Sequence, residues 1–252
     1  MNSPATVATT ARSIAGLSAR QVALVAGVSP STVSRIERGD LDPTLSVFER
    51  VLGACGYGYC NGGLAPVVDM SAVRAARHIL DPDGGLKTNE ASDEWERRWA
   101  RANLLSGVGP ARALRVASLG AQQASLLNRD GATGYRAADW RGIARALTGS
   151  GQPWALTGSR AAALYTRVAS VDWSVFYVAD VDAAAECAGL QPTELAQAVT
   201  LVPFDDITSN GLQHLGGGLR IANFWQVVID CLAGDGRMPA QAEAMVERAL
   251  SA

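Results

Sequence analysis

Between residues 71 and 148 apolar residues recur at helical spacing in four stretches, SAVRAARHIL, SDEWERRWARANLL, PARALRVASLGAQQASLL and DWRGIARAL, with Pro110 placed for a first helical position. No alternating pattern interrupts them, so this part of the chain is expected to be helical. From Trp154 the pattern changes. Short apolar, β-rich runs (WAL, WSVFYV and AVTLV) alternate with the helical stretches SRAAALYTRV and VDAAAECAGL, which predicts a small α/β domain. Two further helices close it, NFWQVVIDCLA and PAQAEAMVERAL, the second carrying Ala242, Met245, Val246, Ala249 and Leu250 on one face. Clusters of Gly, Pro, Asn and Asp at 56–66, 81–85, 128–134, 149–153 and 233–239 punctuate the chain.

The most detailed local pattern lies in LSARQVALVAGVSPSTVSRIERGDLDPTLSVFERVLGACG. Ser18 and Gln21 form an S-x-x-Q capping box that starts a helix. Ala23 is small where a second helix must approach, Gly27 permits a sharp turn at positive φ, and Val28 is an apolar plug beneath it. Ser29 then caps a second helix and Pro30 fits its first position. Val33 and Ile36 face inward on that helix, while Ser31, Thr32, Ser34, Arg35 and Arg38 face outward as a short, polar, basic surface. Glu37 is expected to pair with an arginine of the same domain. Leu45, Phe48, Val51, Leu52 and Cys55 recur at helical spacing and supply a covering helix, with Cys55 read as core packing.

Composition narrows the function. The chain has 252 residues, 48% hydrophobic and 18% charged, enough to bury a core and long enough for two domains. It has no run of 18 apolar residues, and its first residues do not lead from charge into an apolar core, so a cytoplasmic protein without membrane association is expected. The cysteines Cys55, Cys60, Cys187 and Cys231 form no Cys-x-x-Cys pair, and His78 and His214 sit in no ligand-spaced pattern; neither a metal site nor a cofactor is expected. The net charge of −2 is unevenly distributed. Residues 71–146 carry twelve basic against eight acidic side chains, whereas residues 147–252 carry five Arg against eleven acids, a balance of −6. A polyanion should therefore dock toward the amino-terminal end.

Across roughly residues 10–57 the chain resembles the helix-turn-helix of the phage-repressor and Cro (XRE) family, in the LS start, the A-x-x-x-G-V-S turn, the S-T-V-S-x-I-E-R-G helix and the late D-P-T-L. The resemblance implies that the second helix enters the DNA major groove, with Ser31 and Arg35 at base-reading positions and Pro30 near the first of them. Ser29, Thr32 and Arg38 fall nearer the phosphates, and Ser34 lies on the same outward face. Where the family usually has Gln directly after the cap, this chain has Ala19, with Arg20 and Gln21 next to it as candidate phosphate contacts. The partner so implied is double-stranded DNA, a near-palindromic operator bound by a homodimer.

The segment WALTGSRAAALYTRVASVDWSVFYVADVD resembles the opening of polymerase-beta-type nucleotidyltransferases, with Gly158, Ser159 and Asp172 in the corresponding places. Such enzymes need a second carboxylate two residues on, to hold paired magnesium ions, and here that position is Ser174. From Trp154 onward the chain is also similar to the regulator, or antitoxin, of AbiE-like type IV toxin-antitoxin systems. That similarity rests on the ALTG-x-x-AA opening, the VFYVAD strand followed by AVTLV, and Gln226 and Asp230 preceding a helix near Arg237. It implies a nucleotidyltransferase toxin as partner, and leaves Asp230 and Arg237 either as a salt bridge fixing the last helices or as a partner contact. The fold class expected is α+β, mainly α: a helix-turn-helix domain over 1–58, a linker and helical segment over 59–148, and an α/β antitoxin-like domain over 149–252. The expected function is an autorepressing, non-enzymatic DNA-binding regulator. The competing readings are a DNA-tethered nucleotidyltransferase and a ligand-sensing repressor without a toxin.

Overall fold

The computed structural model describes residues 3–137, 139–170, 172–193 and 199–251. About half of the chain is helical, in twelve α-helices among the described residues, and the fold is α+β, mainly α. None of these helices is long and apolar enough to cross a membrane. The chain forms two compact units, one of residues 1–76 and 88–124, the other of residues 77–87 and 125–252.

The first unit opens with four short helices, α1 (Pro4–Ala15), α2 (Ala19–Ala26), α3 (Pro30–Arg38) and α4 (Leu45–Gly53). A serine or threonine caps each: Ser3, Ser18, Ser29 and Thr44 accept a backbone N–H of the first turn. Val7, Ala11, Val22, Ala23, Val33, Ile36, Val51 and Leu52 are buried between them. Leu45, expected to face inward, is 67% exposed, because it is the first residue of α4 and precedes the turn that meets the core. The glycine-rich stretch after α4 is a hairpin of β1 (Tyr57–Cys60) and β2 (Gly63–Pro66), and Tyr59 packs edge-on against Phe48. α5 (Met70–Leu80) belongs to this unit through Ala76, and α6 (Glu90–Arg101) and α7 (Gly109–Gln122) complete it.

The last carbonyls of a helix lack intrahelical donors. The Gln122 amide donates to the Ala15 carbonyl at the end of α1 (3.1 Å), and the Gln123 amide to the Gly53 carbonyl at the end of α4 (3.0 Å). The four amino-terminal helices thus share one compact unit with the segments up to Ala76 and over 88–124.

The second unit is a mixed sheet with helices packed on it. Its strands are β3 (Thr133–Arg136), β4 (Trp154–Thr157), β5 (Ser174–Val178), β6 (Gln191–Pro192), β7 (Val199–Pro203), β8 (Gln213–His214) and β9 (Arg220–Ile221). Their order is β6-β3-β7-β5-β4-β9-β8. β5 runs parallel to β7, with Ser174 level with Val199, and antiparallel to β4, with Trp154 opposite Val178. β4 is wholly buried, as is β5, which is why both read as continuous apolar runs. The helices are α8 (Trp140–Gly149), α9 (Gly158–Ala162), α10 (Val181–Cys187), α11 (Phe224–Leu232) and α12 (Met238–Leu250). α9, α11 and α12 pack on one another and on the central strands, and α10 lies against β7.

Three features of this unit depart from the sequence pattern. The middle segment is not all helical: β3 pairs with β7, but its four residues bury only Tyr135 and carry too little alternation to be legible. The stretch SRAAALYTRV gives only the five-residue α9 before the chain turns. The expected strand AVTLV is β7 from Val199; its Ala198 lies outside the described residues.

The centre of the unit is a desolvated polar cluster. Asp230 on α11 is fully buried and accepts from Arg129 (2.7 Å), Thr157 (2.5 Å), Tyr177 (2.8 Å) and Gln226 (2.8 Å). Arg129 also donates to the Tyr177 hydroxyl. Arg77 donates to the Gln226 side chain (3.2 Å) and to the Asn210 side chain (3.2 Å). Burial pulls the Arg129 guanidinium down, but Tyr177 and Asp230 outweigh it and hold the group above its ordinary value. The burial of Arg77 lowers it, and burial drives the Tyr177 phenol well up. Asp230 therefore pairs with Arg129, not with Arg237, which is exposed at the start of α12. An enclosed carboxylate with four donors cannot at the same time meet a protein partner, so neither sequence expectation for Asp230 describes its position.

Two expected outcomes follow from this packing. Asp230→Ala strands a buried cation and should cost about 3–5 kcal/mol of unfolding free energy by urea titration; a loss near zero would show that the cluster is not closed. Burial pushes the Cys55 thiol up to about 12 and Cys231 well above its usual range, whereas Cys60 and Cys187 are exposed. A thiol reagent at neutral pH should modify Cys60 and Cys187 in the native protein and reach the other two only after unfolding.

Candidate nucleic-acid interface

The interface is built on the junction between α2 and α3. At Ser18 the capping box is complete: the Gln21 side chain accepts the Ser18 N–H (2.8 Å), and the Ser18 hydroxyl accepts the Gln21 N–H (3.2 Å). α2 ends at Gly27 in a left-handed conformation, φ +66°, and the Val28 N–H closes the turn on the Ala23 carbonyl at 2.9 Å. Only two residues separate that turn from Pro30, so α3 has no slack in its direction. The Ser29 hydroxyl accepts the Thr32 N–H (3.1 Å) and meets the hydroxyls of Ser31 (2.8 Å) and Thr32 (2.7 Å).

α3 turns Val33 and Ile36 into the core. Ser31, Arg35 and Arg38 are exposed together with Ser29, Pro30 and, on α2, Arg20. Thr32 and Ser34 are half-buried, and Gln21 is also half-buried with its side chain engaged in the capping box. The structure thus brings together an outward surface of Ser29, Pro30, Ser31, Arg35 and Arg38, with Thr32 and Ser34 at its margin. Arg38 donates to Asp40 (2.7 Å), an exposed pair that a phosphate can displace. Among the described residues no acidic group pairs with Arg35, which leaves its guanidinium fork open for a bidentate acceptor.

Glu37 does pair with an arginine. Arg12 on α1 grips it through Nε (2.6 Å) and Nη2 (3.3 Å) and also donates to the Leu17 carbonyl (3.1 Å). The bond to Glu37 holds Arg12 above its ordinary value. This two-point contact ties the far end of α3 to α1, so the recognition surface is fixed at both ends.

Three basic residues beside this motif carry no sequence signal. The Arg50 guanidinium donates to the Gly27 carbonyl at 3.4 Å. Arg98 and Arg101 of α6 join it around an open cavity of about 190 Å³, with Glu94 bonded to both. They lie some fifty residues from Arg50 along the chain, and only the packing of α6 beside α2 brings them to the turn.

The nucleotidyltransferase-like residues assemble differently from the enzyme pattern. Gly158 and Ser159 stand at the junction of β4 and α9, with Ser159 buried. Asp172 precedes β5, its side chain 98% exposed and bonded to Arg160 (2.5 Å), while the buried Ser174 opens the strand. Asp180 caps α10 instead of joining Asp172 (Ala183 N–H to carboxylate, 2.9 Å). Among the described residues no group of three His, Cys, Asp or Glu is placed to hold a metal ion.

Residues 8–58 match the family model of a helix-turn-helix domain. No curated protein and no solved structure is significantly similar to the chain. The chain therefore carries a helix-turn-helix DNA-binding domain, as its amino-terminal pattern predicts.

Gly27→Ala forces an L-residue into left-handed backbone and should cost about 1–2 kcal/mol, and Ser29→Ala should cost about 1 kcal/mol through loss of the cap. Denaturant titration checks both, and wild-type stability in Gly27→Ala would mean that the turn is not built on positive φ.

Proposed function

We propose that the protein is a sequence-specific transcriptional regulator that binds its own promoter through α3 and represses it. The observation that supports this best is Arg35: solvent-facing, free of any acidic partner, and held on a helix fixed by the Ser29 cap at one end and the Arg12–Glu37 pair at the other. An unpaired guanidinium on a helix fixed at both ends is suited to reading the acceptor pair of a guanine edge. Since one such module reads few base pairs, the acting species is a homodimer on a near-palindrome, with half-sites about 34 Å apart or a multiple of it.

The α/β unit acts in this reading by binding, not by catalysis. The single exposed carboxylate at Asp172, neutralised by Arg160, supports that choice, because phosphoryl chemistry of the nucleotidyltransferase kind uses paired carboxylates. The acid excess of residues 147–252 repels DNA and suits a protein partner. The likeness to AbiE-like regulators makes a nucleotidyltransferase toxin, encoded beside this protein, the partner of choice.

Gel-shift titration on the protein's own upstream DNA tests the regulator. Wild type should prefer it to scrambled DNA at moderate salt; Arg35→Ala should lose about 1–3 kcal/mol and relax the preference at one position. Arg38→Ala should instead weaken all sequences alike and lower the salt slope. Equal binding of both DNAs by wild type would overturn sequence-specific regulation. Magnesium-dependent nucleotide incorporation that Asp172→Ala abolishes would replace the binding role of the α/β unit with an enzymatic one.

A further inference from the structure

The α/β unit contains an open cavity of about 510 Å³ between α8, the buried end of β4 and the loop Gly216–Gly218. Its size lies within the range of about 300–1,000 Å³ typical of small-molecule sites. Two indoles contribute to its wall. Trp154 lies beneath, fully buried, with its Nε1–H donated to the Thr148 hydroxyl at 3.2 Å, and it forms the floor under the exposed side chains. Trp140 stands at the rim, half-buried.

The same wall is cationic. The Arg141 guanidinium lies 4.6 Å from the Trp140 ring centroid, and Arg145, 73% exposed, reaches Asp139 at 3.3 Å. Two arginines against one aspartate leave a positive balance at this rim. Gly217 and Gly218, both at positive φ (75° and 79°), and Leu219 complete the lining, the two glycines presenting backbone without side chains. Indole surface, a pair of guanidinium groups and a stretch of glycine backbone in one cavity form a complementary setting for one kind of molecule.

We propose that this cavity binds a small molecule that joins a flat aromatic ring to an anionic group, of about mononucleotide size. The ring lies against the Trp140 indole and the anion meets Arg141 and Arg145, with the glycine loop admitting the linking atoms. An acidic or purely apolar ligand uses only half of these features, and therefore binds more weakly than a molecule carrying both. The site gives the α/β unit a ligand-binding role that does not depend on the recognition helix.

Equilibrium dialysis of the full chain against four probes tests the proposal: adenosine monophosphate and indole-3-acetate carry both features, and adenosine and inorganic phosphate one each. At least one of the two complete probes should bind with a Kd about tenfold below those of the half-probes. Preference for the nucleotide assigns a phosphate ligand, and preference for the indole acid a carboxylate. Arg145→Gln and Trp140→Leu should each raise that Kd about tenfold. Arg145 is exposed enough for its variant to keep the fold, so it decides the matter if Trp140→Leu melts early. The proposal is overturned if no complete probe binds below about 1 mM, if the half-probes bind as well, or if Arg145→Gln leaves the Kd unchanged. Promoter binding by unliganded wild type in a parallel gel shift separates failure of this site from failure of the regulator reading.

Discussion

The left-handed turn at Gly27 is the constraint on which the DNA-binding surface depends. α2 must stop and α3 must start within three residues, and the chain can do so only where backbone at positive φ costs little. Once the Val28 N–H has closed on Ala23 and Ser29 has capped α3, the direction of α3 is set by α2. The capping box at Ser18 anchors α2 in turn, and the Arg12–Glu37 pair removes the remaining freedom at the other end of α3. Arg35 is consequently presented by rigid elements instead of a loop, the arrangement that geometric readout of base edges needs.

Helix ends exert a second control. α1 and α4 both finish with carbonyls that a helix alone cannot satisfy, and Gln122 and Gln123 reach them from the end of α7. The four amino-terminal helices are therefore one body with the helices that follow them. In the α/β unit the governing element is the Asp230 carboxylate, whose desolvation is offset only by full coordination from Arg129, Tyr177, Thr157 and Gln226. Such a cluster holds α11, β4 and β5 in register but, sealed from solvent, offers nothing to a substrate.

What could be read in the sequence was what short-range chemistry writes there. The capping box, the glycine turn, the Ser29 cap and the inward Val33 and Ile36 are each set by residues within four positions of one another, and all occur as expected. Pairings across long separations were not legible. Glu37 was expected to find an arginine, but that it is Arg12, 25 residues away, depends on how α1 docks. Asp230 was read either as a salt bridge to nearby Arg237 or as a contact to a protein partner, yet the group it pairs with, Arg129, lies 101 residues upstream. α1 went unrecognised although Ser3, Pro4 and Gly16 mark both its ends, because its threonine- and alanine-rich face is weakly apolar. The β1–β2 hairpin and β3 are too short and too glycine-rich for periodicity to register.

The central claim is that α3 reads sequence through Arg35. Selection of binding sites from a random duplex library, run in parallel with wild type and Arg35→Ala, tests it most directly. Wild type should enrich a two-fold symmetric motif with a guanine at one position of each half-site, and Arg35→Ala should enrich the same motif with that position degenerate. Enrichment of no motif by wild type, or of an identical motif by the variant, would contradict the account.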